Sequence, residues 1–265
     1  MAKTTKSTKK STKPVEATPN VITIDTGTPV CPVDIPKKQE ELQQHFHFPT
    51  VIYTIMKPEF LKVVNEVSDE NLKQVKKDHG LNEIYPVYMS GNFYDDPRVA
   101  EFSQYIGGTA WNILAGQGYA MENMVVQFTE MWTQEHYKHS LMEQHAHGYG
   151  SQLVGFYFLE TPEDCSRAIF HDPRPSKTIV NLPESNMGQA SYGSNMINFE
   201  PKPGMLMFAN SWLPHSFGRH GSDKPIKFVH FNITVNQAPQ DQQIRTLSPA
   251  EASQLAPARK PAEVI

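Results

Sequence analysis

Two short segments hold the histidines whose spacing could do chemistry: QHAHGYG (Gln144–Gly150) and WLPHSFGRH (Trp212–His220), in a chain of 265 residues with 11 histidines. Side chains two apart on a strand point to one face, about 6.6 Å from each other. His145 and His147 can therefore chelate one metal ion while Ala146 faces away. A third ligand must come from a distant strand, and His215, after the run MLMFANSWLP, is the best candidate. Imidazoles with open positions beside them suit a redox-active iron, and they suit Zn(II) as well. The competing reading is bland: HxH pairs also occur in loops, and buried histidines commonly serve as hydrogen-bonding residues.

The elements that must position these residues show in the apolar pattern. PTVIYTI (Pro49–Ile55) is β-branched and aromatic, and reads as a strand. A helix is expected from Pro58, with Phe60, Leu61, Val64 and Val67 at helical spacing. A second begins at Asp96-Pro97, with Phe102, Ile106 and Ala110 on one face, although Gly107-Gly108 weakens it. Ile84–Met89 predicts a short strand between them. Further strands are expected at Met124–Trp132, Leu153–Leu159, Ile179–Leu182, Met196–Phe199, Met205–Ala209 and Lys227–Val235. LVGFYFL is apolar on both faces and hence buried. Helices followed by many short strands broken by Pro and Gly indicate a mainly β fold with helices packed outside a sandwich or barrel. The polar stretch 162–195 reads as loops that shape a pocket.

The chain divides into a disordered basic tail and linker over 1–45, a β domain with N-terminal helices over 46–236, and a Pro/Ala/Gln-rich tail over 237–265. Ser248 can cap a short helix at Pro249–Leu255. The formal net charge of −4 argues against a dedicated nucleic-acid binder. Cys31 and Cys165 are too few for a disulfide framework, which suits a reducing, cytoplasmic setting. The lysine-rich start MAKTTKSTKKSTK lacks the apolar stretch of a secretory signal, and no apolar run reaches the ~18 residues of a membrane span.

HAHGYGSQLVGFYFLETPE, then IFHDPRP, FEPKPGMLMFANSWLPHSFGRH and KFVHFNITV, resembles the 2-oxoglutarate/Fe(II)-dependent oxygenase superfamily. It looks most like a prolyl-hydroxylase-like branch found in bacteria and marine phages. The shared features are the HxH segment before Gly155-Phe156-Tyr157, the Phe170–Arg174 turn, and the Pro201–Phe208 strand in slightly altered spacing. The WLPH segment, the closing Phe231-Asn232 and the Phe48–Tyr53 start complete them. The resemblance spans roughly Phe46 to Val235. It implies a double-stranded β-helix (jelly roll) that uses Fe(II), 2-oxoglutarate and dioxygen, with ascorbate as an optional reductant. A C–H bond of a protein side chain, prolyl or other, or of a small molecule, would be hydroxylated as 2-oxoglutarate becomes succinate. A phage protein would work in the host cytoplasm.

The usual iron triad is two His and one carboxylate. Here His147 stands at the carboxylate position, and Asp172 of HDPRP is an alternative donor, although the turn signature accounts for it. The family's basic anchor for the distal carboxylate of 2-oxoglutarate points to Lys227, twelve residues after His215. On a regular strand Lys227 faces opposite to His230 and Asn232, so that it needs a bulge to enter the cavity; Arg219 and Lys224 are the fallbacks. Tyr157 and Gln127 are further candidates to hydrogen-bond the cosubstrate. Two other readings remain open: a jelly-roll binding module with a zinc or vestigial site, and a cupin-like metalloenzyme independent of 2-oxoglutarate.

Overall fold

Strand parity organises this molecule: along its longest buried strands, odd and even residues enter two different cores. The computed structural model describes residues 45–239 apart from Tyr149 and Asn181. The expected tails fall almost entirely outside the described residues, as does the Pro249–Leu255 helix. Residues 45–48 carry no helix or strand.

Among the described residues, ten strands form two antiparallel sheets. They are β1 (Ile52–Met56), β2 (Val87–Met89), β3 (Met124–His136), β4 (Met142–His145), β5 (Leu153–Glu160), β6 (Ala168–His171), β7 (Met196–Phe199), β8 (Met205–Asn210), β9 (His215–Phe217) and β10 (Ile226–Gln237). The larger sheet has the order β1-β8-β5-β10-β3-β2 and the smaller β4-β9-β6-β7. From β3 onward the chain passes back and forth between the sheets, which makes a double-stranded β-helix flanked by helices, as the sequence led us to expect.

Two helices, α1 (Leu61–Asp78) and α2 (Ala100–Gly116), precede that core. A 3₁₀ turn at Pro58–Phe60 leads into α1, where Val64, Val67 and Leu72 are buried at helical spacing. Lys76 and Lys77 sit in its last turn, where cations offset the helix dipole. Asp96 accepts a hydrogen bond from the Arg98 N–H ahead of α2, which then buries Phe102, Ile106, Ala110, Ile113 and Leu114. These faces meet Tyr157, Leu159, Val229, Phe231 and Ile233 from the outer side of the large sheet. The opposite parity, Phe156 and Phe158 of β5 with Phe228 of β10, packs between the sheets against Phe170 and Phe217. Each fully buried Phe contributes about 2–3 kcal/mol. Gly155 is required where it stands: a Cβ there would lie 2.1 Å from the Phe231 ring and 2.6 Å from the Met207 carbonyl oxygen.

The expectations differ from the structure in two ways. Of the expected strand Ile179–Leu182, the described residues Ile179, Val180 and Leu182 lie in no strand. A 3₁₀ turn at Pro175–Ile179 replaces it, and Ile179 and Leu182 are exposed, with no neighbouring strand to receive their apolar side chains. The short strands β4, β6 and β9 were not foreseen, because three or four residues carry too little alternation to stand out.

Candidate metal centre

Register brings the first two histidines together. β4 pairs antiparallel with β9, and His145 lies directly opposite His215. His147 is beyond the end of β4, so the simple strand argument for the HxH pair does not describe it; its N–H donates to the Ser211 carbonyl at 2.8 Å, which holds it beside β9. The ring centroids of His145, His147 and His215 are 4.5 to 5.2 Å apart, and one nitrogen from each lies within 4.8 Å of the others.

The hydrogen bonds select which nitrogen is free. His145 Nδ1 meets the Glu143 carbonyl at 2.8 Å and His215 Nδ1 meets the Leu213 carbonyl at 3.0 Å. A carbonyl only accepts, so in both rings Nδ1 carries the proton and Nε2 keeps its lone pair. The Nε2 atoms of His147 and His215 are buried and have no protein partner. Burial pushes the His215 pKa down to about 3, and burial with the His145 charge pushes His147 down to about 4. The His147 and His215 rings are therefore neutral near pH 7, the state in which imidazole binds a metal. Inward lone pairs without a protein partner, fixed by Nδ1 bonds in two of three rings, fit a divalent iron or zinc ion.

Aromatic rings wall the cluster from below. Phe156 stands 5.5 Å from His215 and 5.0 Å from His230, and Phe170 is 6.0 Å from His215. Behind them Phe217 stacks on Phe228 at 4.7 Å. A cleft of about 300 Å³ is lined by Met89, Ser90, Gly91, Asn92, Glu130 and Trp132, and none of the three histidines lines it. Trp132 is 4.4 Å from His230, and Glu130 accepts a hydrogen bond from Asn232 Nδ2 at 2.8 Å.

None of the three residues expected to hold 2-oxoglutarate reaches this cluster, and that expectation is corrected here. Lys227 is buried but points to the outer face of the sheet, where its Nζ pairs with Asp69 at 2.6 Å and Glu160 at 2.5 Å. The register of β10 against β5 does shift between Lys227 and Phe228, yet parity still turns Lys227 outward. Arg219 is exposed and lines a separate cleft with Asp164, Arg167 and Glu200. Tyr157 faces the helices and donates its hydroxyl to the Lys57 carbonyl at 2.6 Å. The fallback Lys224 is exposed, and Gln127 is exposed and bonded to Asn236. Asp172 is held by the Arg174 backbone N–H and guanidinium and by Lys177, a turn carboxylate outside the histidine group.

Glu130 and Trp132 escaped the sequence reading because only the pairing of β3 with β10 reveals their place: Trp132 lies opposite His230 and Glu130 opposite Asn232.

Residues 130–232 match the model of a family described as "Putative 2OG-Fe(II) oxygenase". This segment is similar to the 2OG-Fe(II) oxygenases. It contains all three histidines, together with β4 and β9. No curated protein gives a significant sequence match. Among solved structures, AviO1 from Streptomyces viridochromogenes Tue57 is similar at TM-score 0.51 and 10% identity, over 72% of this chain and 92% of that one, and bears on the fold. A prolyl-4-hydroxylase from Pseudomonas putida is similar at TM-score 0.47 and 12% identity, over 70% of this chain and 93% of that one. A viral collagen prolyl hydroxylase from Paramecium bursaria Chlorella virus-1 gives TM-score 0.44 and 10% identity, over 69% and 94%. Among the described residues no helix is long and apolar enough to cross a membrane.

Proposed function

We propose that His145, His147 and His215 hold Fe(II), and that the protein uses 2-oxoglutarate and dioxygen to hydroxylate a C–H bond of its substrate. The observation that carries this reading is the group of three ring nitrogens within 4.8 Å, inside the segment that matches the oxygenase family. Bound iron would supply the oxidation, in which 2-oxoglutarate becomes succinate and carbon dioxide, one oxygen atom entering succinate and the other the substrate. The chain's own work is placement. The Glu143 and Leu213 carbonyls fix two ring orientations, and the Phe156 and Phe170 rings keep water from the buried side. The cleft beside Glu130 and Trp132 gives a substrate its approach. A reducing compartment such as the cytoplasm suits both Fe(II) and the free thiol of Cys165.

The test is anaerobic addition of Fe(II) and then 2-oxoglutarate to purified protein, followed by visible spectroscopy and succinate analysis in air. A charge-transfer band that needs His147 and His215, with succinate formed in air, is the expected result. Stoichiometric zinc with neither band nor succinate would replace this reading with the binding-module one. Oxygen uptake independent of 2-oxoglutarate would replace it with the cupin-like one.

A further inference from the structure

His230 belongs to none of the roles assigned so far, yet it is the most conspicuous polar group in the interior. It is 1% exposed, and neither of its ring nitrogens has a hydrogen-bond partner. Its ring lies 4.9 Å from that of His147, 5.0 Å from Phe156 and 4.4 Å from Trp132. A buried donor left unpaired costs about 1–3 kcal/mol. His136 and His220, also buried, both make hydrogen bonds.

The strand that carries His230 sharpens the point. Its inward parity presents Ile226, Phe228, His230 and Asn232, with no cation among them, while Lys227 is spent on Asp69 and Glu160 at the outer face. An imidazole brings at least one N–H in either protonation state. Asn232 already gives one amide N–H to Glu130, whereas neither ring nitrogen of His230 has any partner, so on the inward face of β10 His230 is the side chain whose donor is wholly unused. His230 is not itself in the group of three whose ligand atoms converge within 4.8 Å.

We propose that His230 is a positioning residue of the site: its ring N–H holds a carboxylate oxygen of the metal-bound 2-oxo acid, in place of a basic residue on this strand. The proposal rests on the oxygenase reading above. It predicts a cosubstrate held by a neutral-type donor among aromatic rings rather than by a cation.

The experiment titrates 2-oxoglutarate into Fe(II)-loaded protein without oxygen, reading the visible band, and repeats it by calorimetry with Mn(II) in place of iron. Wild type is compared with His230→Leu, which removes the donor, His230→Phe, which keeps ring volume, and His230→Gln, which keeps a donor. Losing a hydrogen bond to a charged group should weaken 2-oxoglutarate roughly 10–100-fold in the Leu and Phe variants. The Gln variant should recover most of that, and metal stoichiometry should stay at the wild-type value throughout. The Leu and Phe variants lose no protein hydrogen bond, so their melting temperatures should not fall, and either alone suffices if the other folds poorly. Unchanged 2-oxoglutarate affinity in a folded variant would overturn the proposal, leaving the ring to a trapped water only. Loss of the metal itself would also overturn it, by making His230 a ligand. If wild type binds neither metal nor 2-oxoglutarate, the oxygenase reading fails; if wild type binds and the variants bind equally well, only this proposal fails.

Discussion

Two groups of buried histidines share this sandwich, and they are built differently. Near the start of β10, His136 Nε2 meets Gln134 Oε1 at 2.8 Å, and its ring stacks on Phe228 at 5.3 Å. His220 accepts from the Ser166 N–H at 3.3 Å and donates to the Lys224 carbonyl at 2.7 Å. Four residues further along β10 the picture reverses. Nε2 of His147 and His215 and both nitrogens of His230 are buried without a partner. Folded interiors rarely leave such groups unpaired. The first group ties loops and strands together, and the second is shaped for something the chain does not itself supply.

The strongest way to break this comparison is to exchange the consequences. His215→Ala should cost metal affinity at least about 100-fold, above the 10–100-fold typical of residues that only support a ligand. It should cost the metal-free protein little beyond a small cavity. His220→Ala should do the opposite, leaving metal affinity unchanged while lowering folding stability by about 2–4 kcal/mol through two lost hydrogen bonds and a cavity. Metal titration and urea unfolding of both variants decide it. Equal metal loss in the two would erase the distinction between the groups.

Acid should sharpen it next. Burial, with a smaller contribution from the His220 charge, pushes the His136 pKa down to about 3; burial does the same to His215. Unfolded histidine titrates near ~6.5. In this window only the unfolded chain takes up the proton, so stability is level above neutral pH and falls as pH drops through ~6.5 toward the folded values. The slope is up to ~1.4 kcal/mol per pH unit for each such histidine. Metal should steepen it, because protons compete for the same nitrogens. Urea midpoints between pH 5 and 7.5 should show His136→Phe flattening the curve while keeping metal, and His215→Ala flattening it while losing metal. A curve independent of pH in the wild type would contradict the burial of both groups.

The legible and illegible parts of this molecule divide by length and by pairing. Long periodic elements were readable: Phe102, Ile106 and Ala110 of α2 are all buried, and LVGFYFL is buried throughout. The three histidines could be singled out because HxH and WLPH are compact and chemically unusual. What failed depended on register. The four residues of β4 and three of β9 have too little pattern to show, yet their pairing is what sets His145 opposite His215. Glu130 and Trp132 look like ordinary strand residues until β10 is laid beside β3. Lys227 shows the limit of spacing as a guide: its distance from His215 suits a cosubstrate anchor, while strand parity directs it to the helices.

That parity yields the smallest expected effect, and a direct one. Lys227 bridges Asp69 of α1 and Glu160 of β5, and both carboxylates are more than half exposed. Burial works against its charge, but the bonds to Asp69 and Glu160 outweigh it and raise the Lys227 pKa. Its contribution is thus fully present below ~10.4, the unfolded value, and is lost only as pH rises through the higher folded one. Lys227→Met keeps most of the buried volume and frees two carboxylates that water can solvate. Replacing a buried ion by an apolar side chain of similar size is often close to neutral, so unfolding should shift by no more than about 1 kcal/mol. Affinity for 2-oxoglutarate should stay within about twofold of wild type, against the 10–100-fold loss expected for His230→Leu. A tenfold weakening in Lys227→Met, with His230→Leu unchanged, would invert the two faces of β10 and return the anchor to the lysine.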